Sequence, residues 1–470
     1  MRKPGSRLVA GAALAMTALV AAAIPGAAAP PVPSQYASRP DLSPPQVQIE
    51  SPARGTEPGY IFLDARGTAT QGGPMIVDDS GQPVWFRPYG DGMSRVSTSL
   101  RTQTYRGQPV LTWWEGDQDE GWGDGEFHVL DQSYEEVATV RTGNGIDTDL
   151  HDMTITPRDT ALLLGYHQVE RDGRQVVEGV IQEVDIATGR VLFDWRSLDH
   201  VGLEESTIPA PADPNALFDY LHPNSVTEDA NGNLLLSARN TDAVYQIDRA
   251  TGAIQWRLGG VRSDFAVDPA ARFARQHDAR WLPTGQLSIF DNASDVPGPP
   301  SRGIVLDLDP VARTARLAQS VAHPGGTTSP TQGSYQVLPG GHHFVGWGSQ
   351  GQFTEYDAAG GVVLHASLGD GMQSYRALRL PWVGTPKTKP DVALSEENGS
   401  RYLHSSWNGA TEVRSWRILA GDTELDLKPI GDVAKSGFET SGQLVRPERY
   451  FAVEALDAQG QVLGRSDPVS

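Results

Sequence analysis

IQEVDIATGRVLFDW (181–195) and VYQIDRATGAIQWRL (244–258) are two copies of one unit. Each opens with alternating apolar residues and ends its first run in Asp. It then passes through a segment carrying Thr-Gly and resumes with apolar residues leading to Trp. Alternation with a period of two marks strands, and the D-x-x-T-G segment marks a hairpin turn. A third clear copy is IVDDSGQPVWF (76–86), and weaker ones are FHVLDQSYEEVATV (127–140), IVLDLDPVARTARLA (304–318) and FTEYDAAGGVVLHASL (353–368).

A second unit precedes most of these: a strand, a Pro/Asp/Gly turn and an apolar strand. It occurs as HDMTITPRDTALLLGYH (151–167), HPNSVTEDANGNLLLSARN (222–240), HDARWLPTGQLSIFDN (277–292) and GSYQVLPGGHHFVGWGS (333–349), with a fainter copy in STSLRTQTYRGQPVLTWW (97–114). Two hairpins per repeat make a four-stranded sheet, and six copies fit between residues 55 and 383. The reading is an all-β protein whose fold is a six-bladed β-propeller. A pair of β-sandwiches is the rival, but it does not predict six copies of one unit. Trp85, Trp195 and Trp256 recur at one position of the repeat and are expected to pack between sheets. Residues 386–470 carry a different alternation, as in ERYFAVEALDAQGQVLGRS (448–466), and read as a C-terminal β-sandwich of the fibronectin III or Ig-like kind.

The ends and the composition bound the setting. Arg2, Lys3 and Arg7 precede an apolar run from Leu8 to Ile24 and the small residues Ala27-Ala28-Ala29, which together predict a signal peptide over 1–29 and a secreted, extracellular protein. A retained anchor is the alternative, but no later run is long enough to span a membrane, so no span is expected after cleavage. Residues 30–54 form a Pro-rich lead-in. The chain of 470 residues has no cysteine, which excludes disulfides, thiolate metal sites and thiol nucleophiles. Its formal net charge of −20, without a basic stripe, argues against nucleic acid as a partner. The acidic stretch 115–120 reads as a solvated loop, with calcium binding as the alternative.

The repeat register places the chemistry. The second unit aligns on its turn residues Gly107, Asp159, Gly232, Gly285 and Gly341. Eight positions earlier stand Ser99, His151, Asn224, His277 and Gly333, and seven positions later Trp114, Tyr166, Arg239, Asn292 and Gly348. Residues equally far from a hairpin turn lie across from one another. One mouth of the assembly therefore gathers His151, His222, His277, Asn224 and Arg239, with Tyr166 and Asn292 as neighbours. Three imidazoles alone would suit zinc, but a guanidinium beside a dication is repulsive, so no metal is assigned. Arg, Asn and His donors suit a tetrahedral oxyanion, and a neutral imidazole is a competent nucleophile. Together they describe transfer of a phosphoryl- or sulfuryl-like group. No phosphate-cradling Gly-rich loop is present, which disfavours nucleotide chemistry.

The segments HDMTITP (151–157), HPNSVTEDANGNLLLSARN (222–240) and RQHDARWLPTGQ (275–286) resemble the hallmark stretches of the bacterial arylsulfate sulfotransferase family, in a divergent secreted, actinobacterial-type branch. The resemblance covers most of 55–383 and implies a six-bladed propeller. It also implies PAPS-independent transfer from a phenolic sulfate donor to a phenolic acceptor, with no cofactor. By motif, His277 is similar to the nucleophile that becomes transiently sulfurylated. His222 and His151 match acid–base positions, and Arg239 and Asn224 match sulfuryl-binding positions. The better-known members carry an N-terminal β-domain and a disulfide. This chain has neither cysteine nor that arrangement, since its extra domain is C-terminal. The rival classes are a non-catalytic secreted propeller binding cell-wall glycan or a partner protein, a quinone-dependent oxidoreductase, and a metal-dependent hydrolase.

Overall fold

The computed structural model describes residues 35–67, 71–89, 95–119, 121–293 and 300–470. The signal peptide expected over 1–29 lies outside the described residues, as does the first part of the lead-in.

Between residues 48 and 380 the described residues form six sheets, antiparallel but for one pair, Ala266–Val267 beside Thr314–Ala322. The first contains Tyr60–Gly67, Gly73–Val77 and Pro83–Phe86, with the late strand Ala377–Leu380 paired to Tyr60–Gly67. The second runs through Arg95–Tyr105, Gln108–Asp119, Trp122–Leu130 and Glu136–Val140. Residues 115–119, expected in a loop, lie in its second strand. The third comprises Asp147–Ile155, Thr160–Arg171, Arg174–Asp185 and Val191–Arg196, and the fourth Pro223–Glu228, Leu234–Ala238, Ala243–Ile247 and Ile254–Gly259. The fifth begins at His277–Trp281 and the sixth at Ser334–Val337.

The recurrent D-x-x-T-G turn has a physical basis. Asp185 Oδ1 accepts from the Thr188 N–H (2.9 Å) and hydroxyl (2.8 Å), and Asp248 Oδ1 accepts from the same groups of Thr251 (both 2.9 Å). Gly189 and Gly252 follow at φ 70° and 75°, where a side chain would be strained. Each such turn returns the chain antiparallel and fixes the register of the next strand.

These observations correct the expected six-bladed β-propeller. Among the described residues each sheet is open and has four or five strands, built on consecutive hairpins with an added edge strand in the first, fifth and sixth, and none closes on itself into a barrel or propeller or curls strongly. The last strand of the fifth sheet pairs further with Ala266–Val267 and that of the sixth with Gln48–Ser51, each adding one edge strand to its own sheet, so the repeated hairpins specify separate sheets. What stands is an all-β chain rich in short antiparallel sheets.

Contact between sheets is made by side chains. Buried apolar clusters join the second sheet to the third through Phe127, Val129, Met153 and Leu163, and the third to the fourth through Leu162, Leu164, Leu234 and Leu236. Trp85, Trp195 and Trp256 lie within such clusters, and Trp195 also donates to Gly252 O at 2.9 Å. Burying side chains of this kind contributes about 1.5–3 kcal/mol each. Polar links hold the first strands side by side. Leu100 N–H donates to Asp64 (2.9 Å), Thr98 to Leu150 O (2.5 Å), Val226 N–H to Asp152 (2.9 Å), Ala279 N–H to Ser225 (3.1 Å) and Tyr335 N–H to Asp278 (3.3 Å).

After residue 390 a three-stranded sheet (Asp391–Glu397, Ser400–Ser406, Glu439–Leu444) and a four-stranded sheet built around Ser415–Gly421 and Tyr450–Leu456 share one core containing Leu403, Trp416, Leu444 and Phe451. The segment from residue 35 docks on this unit, with Tyr36 against Phe438 and Ser38 N–H donating to Glu439 at 2.6 Å. Among the described residues no helix is long and apolar enough to cross a membrane.

Candidate active site

The first strands of the second to fifth sheets are each bulged where the singled-out residues fall. Register shifts occur between Thr98 and Arg101, between Thr148 and Met153, between Pro223 and Ser225, and between His277 and Arg280. A bulge adds unpaired residues and re-aims their side chains. Ser99 and Asp278 accordingly adopt φ of 64° and 53°, and His222, just ahead of the bulged strand, adopts 53°. In the pairs His151-Asp152 and His277-Asp278 the imidazoles line a cavity, and the carboxylates enter a buried charge cluster beside it.

That cavity, of about 300 Å³, is lined by His151, His222, His277 and Arg239, together with Arg66, Asp219, Gln332 and Tyr375. With Gln118 of the second sheet, residues from five sheets and from the sixth sheet's approach thus converge on one small volume. The His151 and His222 rings lie 4.9 Å apart, edge to face, and Tyr375 packs against His151 (5.5 Å) and His277 (6.3 Å). A larger cavity, about 870 Å³, lies by Phe265 and Phe273 and holds none of these histidines.

Tyr166, Asn224 and Asn292 stand behind the lining. Tyr166 stacks between Trp122 (5.6 Å, 12°) and His151 (5.6 Å, 23°) and donates to Pro223 O at 2.8 Å, which fixes both His151 and the start of the strand that follows His222. Asn224 is fully buried and donates to Gln276 O at 2.7 Å, next to His277. Asn292 is also fully buried, with its Oδ1 2.7 Å from His277 Nδ1.

Each histidine has a distinct partner. His151 Nδ1 lies 2.6 Å from Asp149 Oδ2, and His222 Nδ1 is hydrogen-bonded to Asp219 Oδ2. Neither aspartate belonged to the sequence-derived set, although D-x-H and D-x-x-H spacings are present in the chain. Burial pushes Asp149 up to about 8, against the hydrogen bond from the His151 N–H. Burial, and then the nearby His222 and Arg376, hold His151 well below the ordinary imidazole range. Burial, followed by the Arg239 guanidinium, does the same for His277. His151 and His277 are therefore neutral at neutral pH, and His277 has a lone pair to give.

Arg239 leaves the second strand of the fourth sheet through a short 3-10 turn, Arg239–Thr241. Its Nη1 donates to Asn240 Oδ1 at 2.9 Å, and Asn240 in turn donates to Asp219 O at 2.6 Å. Beneath the cavity, Asp152 meets Arg280 (2.8 Å), Arg376 (2.9 Å) and Arg101 (3.3 Å), while Asp278 meets Arg280 (2.9 Å) and Arg376 (3.4 Å). Three cations against two anions leave positive potential under the site. Arg376 has no local motif and was not legible in the sequence. Among the described residues no group of three or more His, Cys, Asp or Glu side chains is arranged to hold a metal ion.

Three imidazoles and two guanidiniums thus face one small cavity. Residues 101–369 match the model of the arylsulfotransferase (ASST) family, and the chain belongs to that family. A transferase-like function of this general type is suggested by the match. No curated protein matches the chain. Among solved structures the chain is similar to a protein of unknown function from Bacteroides caccae (14% identity over 68% of this chain and 98% of that one, TM-score 0.41). It is also similar to a catalytically inactive virginiamycin B lyase from Staphylococcus aureus with quinupristin (8%, 76% and 96%, TM-score 0.35). A third is an α-L-arabinanase from Penicillium chrysogenum with arabinobiose (16%, 66% and 88%, TM-score 0.36). At TM-scores this low these likenesses carry no argument about fold or function.

Proposed function

We propose that this cavity transfers a sulfuryl group from a phenolic sulfate ester to a phenolic acceptor through His277, without PAPS or another cofactor. The observation that carries the reading is the state of His277: neutral, buried, and hydrogen-bonded through Nδ1 to Asn292, which leaves the lone pair on Nε2. That nitrogen attacks sulfur, the N–S bond forms, and the S–O bond to the aryl group breaks with its electron pair leaving on the phenolate oxygen. His151 or His222 supplies the proton that makes the phenol. In the second half the acceptor phenol gives its proton to the same base, its oxygen attacks sulfur, and the N–S pair returns to His277. General acid–base help of this kind is worth about 10²–10⁴-fold.

Arg239 is the sulfuryl-side donor in this reading, while Asn224, expected in that role, holds the backbone beside His277, and Tyr166 and Asn292 hold the imidazoles. Gln332 N–H now donates to His277 Nε2 at 3.2 Å. It is released when the lone pair turns to sulfur and then lies beside the sulfuryl oxygens. The reading includes export directed by residues 1–29 and a division into a sheet-repeat unit, 55–383, and a C-terminal unit, 386–470.

The test is a trapping experiment. Purified protein is mixed with an aryl sulfate, quenched and digested, and the peptides are weighed. Sulfuryl mass on the peptide holding His277, discharged by added phenol, is the expected result. An intact donor and an unmodified peptide would overturn the reading in favour of a binding protein.

A further inference from the structure

Arg66 differs from the other buried arginines. It ends the strand Tyr60–Gly67, is 8% exposed, and lines the cavity with His151, His277 and Arg239. Arg376 is ion-paired with Asp152 and Asp278, and Arg379 with Glu355 (2.6 Å) and Asp79 (2.7 Å). Among the described residues Arg66 has no carboxylate within ion-pair distance. Its side-chain hydrogen bond runs from Nη1 to Gln118 Oε1, a neutral amide, at 2.6 Å. Asp64, two residues earlier, acts on Arg66 through space but makes no ion pair with it, its carboxylate being turned to the Leu100 N–H.

A buried cation without a counter-ion is costly, and buried charges are paired as a rule. At the wall of a ligand cavity the missing partner is the ligand's. Arg66 enters from the first sheet, whereas Arg239 follows the second strand of the fourth and acts directly on His277. A sulfate monoester has one anionic group, which Arg239 beside the nucleophile takes. Arg66 is then left for another.

We propose that Arg66 recognises a second anionic substituent, so that the preferred donors are single-ring aryl sulfates carrying a carboxylate or a further sulfate on the ring. This rests on the sulfuryl-transfer reading. The planar guanidinium fork matches a carboxylate or sulfate face. A cavity of about 300 Å³ stands at the small end of ligand sites, which fits one ring with short substituents.

The experiment compares kcat/KM for 4-sulfooxybenzoate and phenyl sulfate in the parent protein and in Arg66→Gln. Binding of 4-hydroxybenzoate and of phenol is measured calorimetrically in both. The parent is expected to favour the carboxylated ester by about tenfold to a hundredfold, the worth of one charge-assisted hydrogen bond. Arg66→Gln is expected to bring that ratio close to one and to weaken 4-hydroxybenzoate binding by a like factor. Equal losses on both esters would place Arg66 on the sulfuryl group and overturn the proposal, as would a parent protein without preference. Absence of turnover on either ester would sink the sulfuryl-transfer reading instead, and the calorimetric comparison would still decide for or against Arg66. Arg66→Gln removes a buried charge that makes no direct ion pair among the described residues, so its unfolding midpoint should change little. If it fails to fold, Arg66→Lys, which keeps the charge and loses the fork, tests the proposal through a partial fall in the same ratio.

Discussion

Asn292 Oδ1 lies 2.7 Å from His277 Nδ1, and the amide cannot be turned round, because its Nδ2 donates to Ser329 O at 2.8 Å and Gln332 O at 2.9 Å. An amide oxygen only accepts, so Nδ1 carries the proton and Nε2 the lone pair. The same amide cannot take a proton, so a sulfurylated ring keeps its Nδ1–H and stays cationic, which weakens the N–S bond for the second transfer.

Asn292→Ala is therefore expected to lower kcat by on the order of 10²-fold, the cost of misplacing a reacting group. Donor KM should change little, since Asn292 is fully buried behind His277 and outside the cavity lining. Steady-state kinetics with one aryl sulfate checks this. A rise in KM with kcat intact would mean that Asn292 touches substrate.

The Asp149–His151 pair sets an alkaline limit. Burial holds the proton on Asp149 up to about pH 8. Below that point the carboxyl O–H serves His151 Nδ1, so the other ring nitrogen bears hydrogen for the leaving phenolate. Above it the carboxylate draws the proton to Nδ1 and the acid is lost. The pH profile of kcat/KM should fall on the alkaline side near 8, and Asp149→Asn, which keeps an N–H facing the ring, should move or remove that limb. Stability follows the same sign. A folded pKa raised above the unfolded one gives a contribution that is full below the unfolded value and is lost as pH rises through about 8.

Much of this was legible in the chain because it is local. The Asp-x-x-Thr-Gly turns, the alternation and the recurring Trp residues each write their own structure. The register of the second unit brought His151, His222, His277 and Arg239 to one cavity from wide separations. That the sheets stay open was not legible, since hairpins encode only their own local pairing and the propeller was inferred from their repetition. Bulges also escaped notice: the column pairing set His277 opposite Asn292, while the strand pairs His277 with Phe290. That shift turns Asn292 from a substrate contact into a support of the imidazole. Arg376, reaching Asp152 from over two hundred residues away, leaves no pattern to read.

Arg239→Gln keeps polarity and removes the charge and the fork. In the proposed mechanism it loses an oxyanion donor, which costs about 10²–10³ in turnover. The sulfo-enzyme should form at a correspondingly slower rate in single-turnover measurements. His277 should also become easier to protonate, because Arg239 is the largest charge holding it neutral. The acid limb, expected well below pH 6.5 in the parent, should move upward. An unchanged acid limb would show that burial alone sets the state of His277.

Asp152 tests the platform under the site, not the chemistry. Its carboxylate is fully buried and meets Arg280, Arg376 and Arg101. Burial pushes its pKa up, but the three guanidiniums outweigh that and hold it well below the usual carboxylate range. Asp152→Asn leaves those guanidiniums facing one another with Asp278 as the remaining counter-ion. Breaking a buried pair by removing one partner costs about 3–5 kcal/mol, and a loss of that size should appear in denaturant unfolding at pH 7. A folded pKa below the unfolded one gives stability that is present above the unfolded value and is lost as pH falls toward the folded one. The difference between parent and variant should therefore narrow in acid. A difference that stayed constant down to strongly acid pH would mean that the hydrogen bonds of Asp152, and not its charge, hold the first strands together.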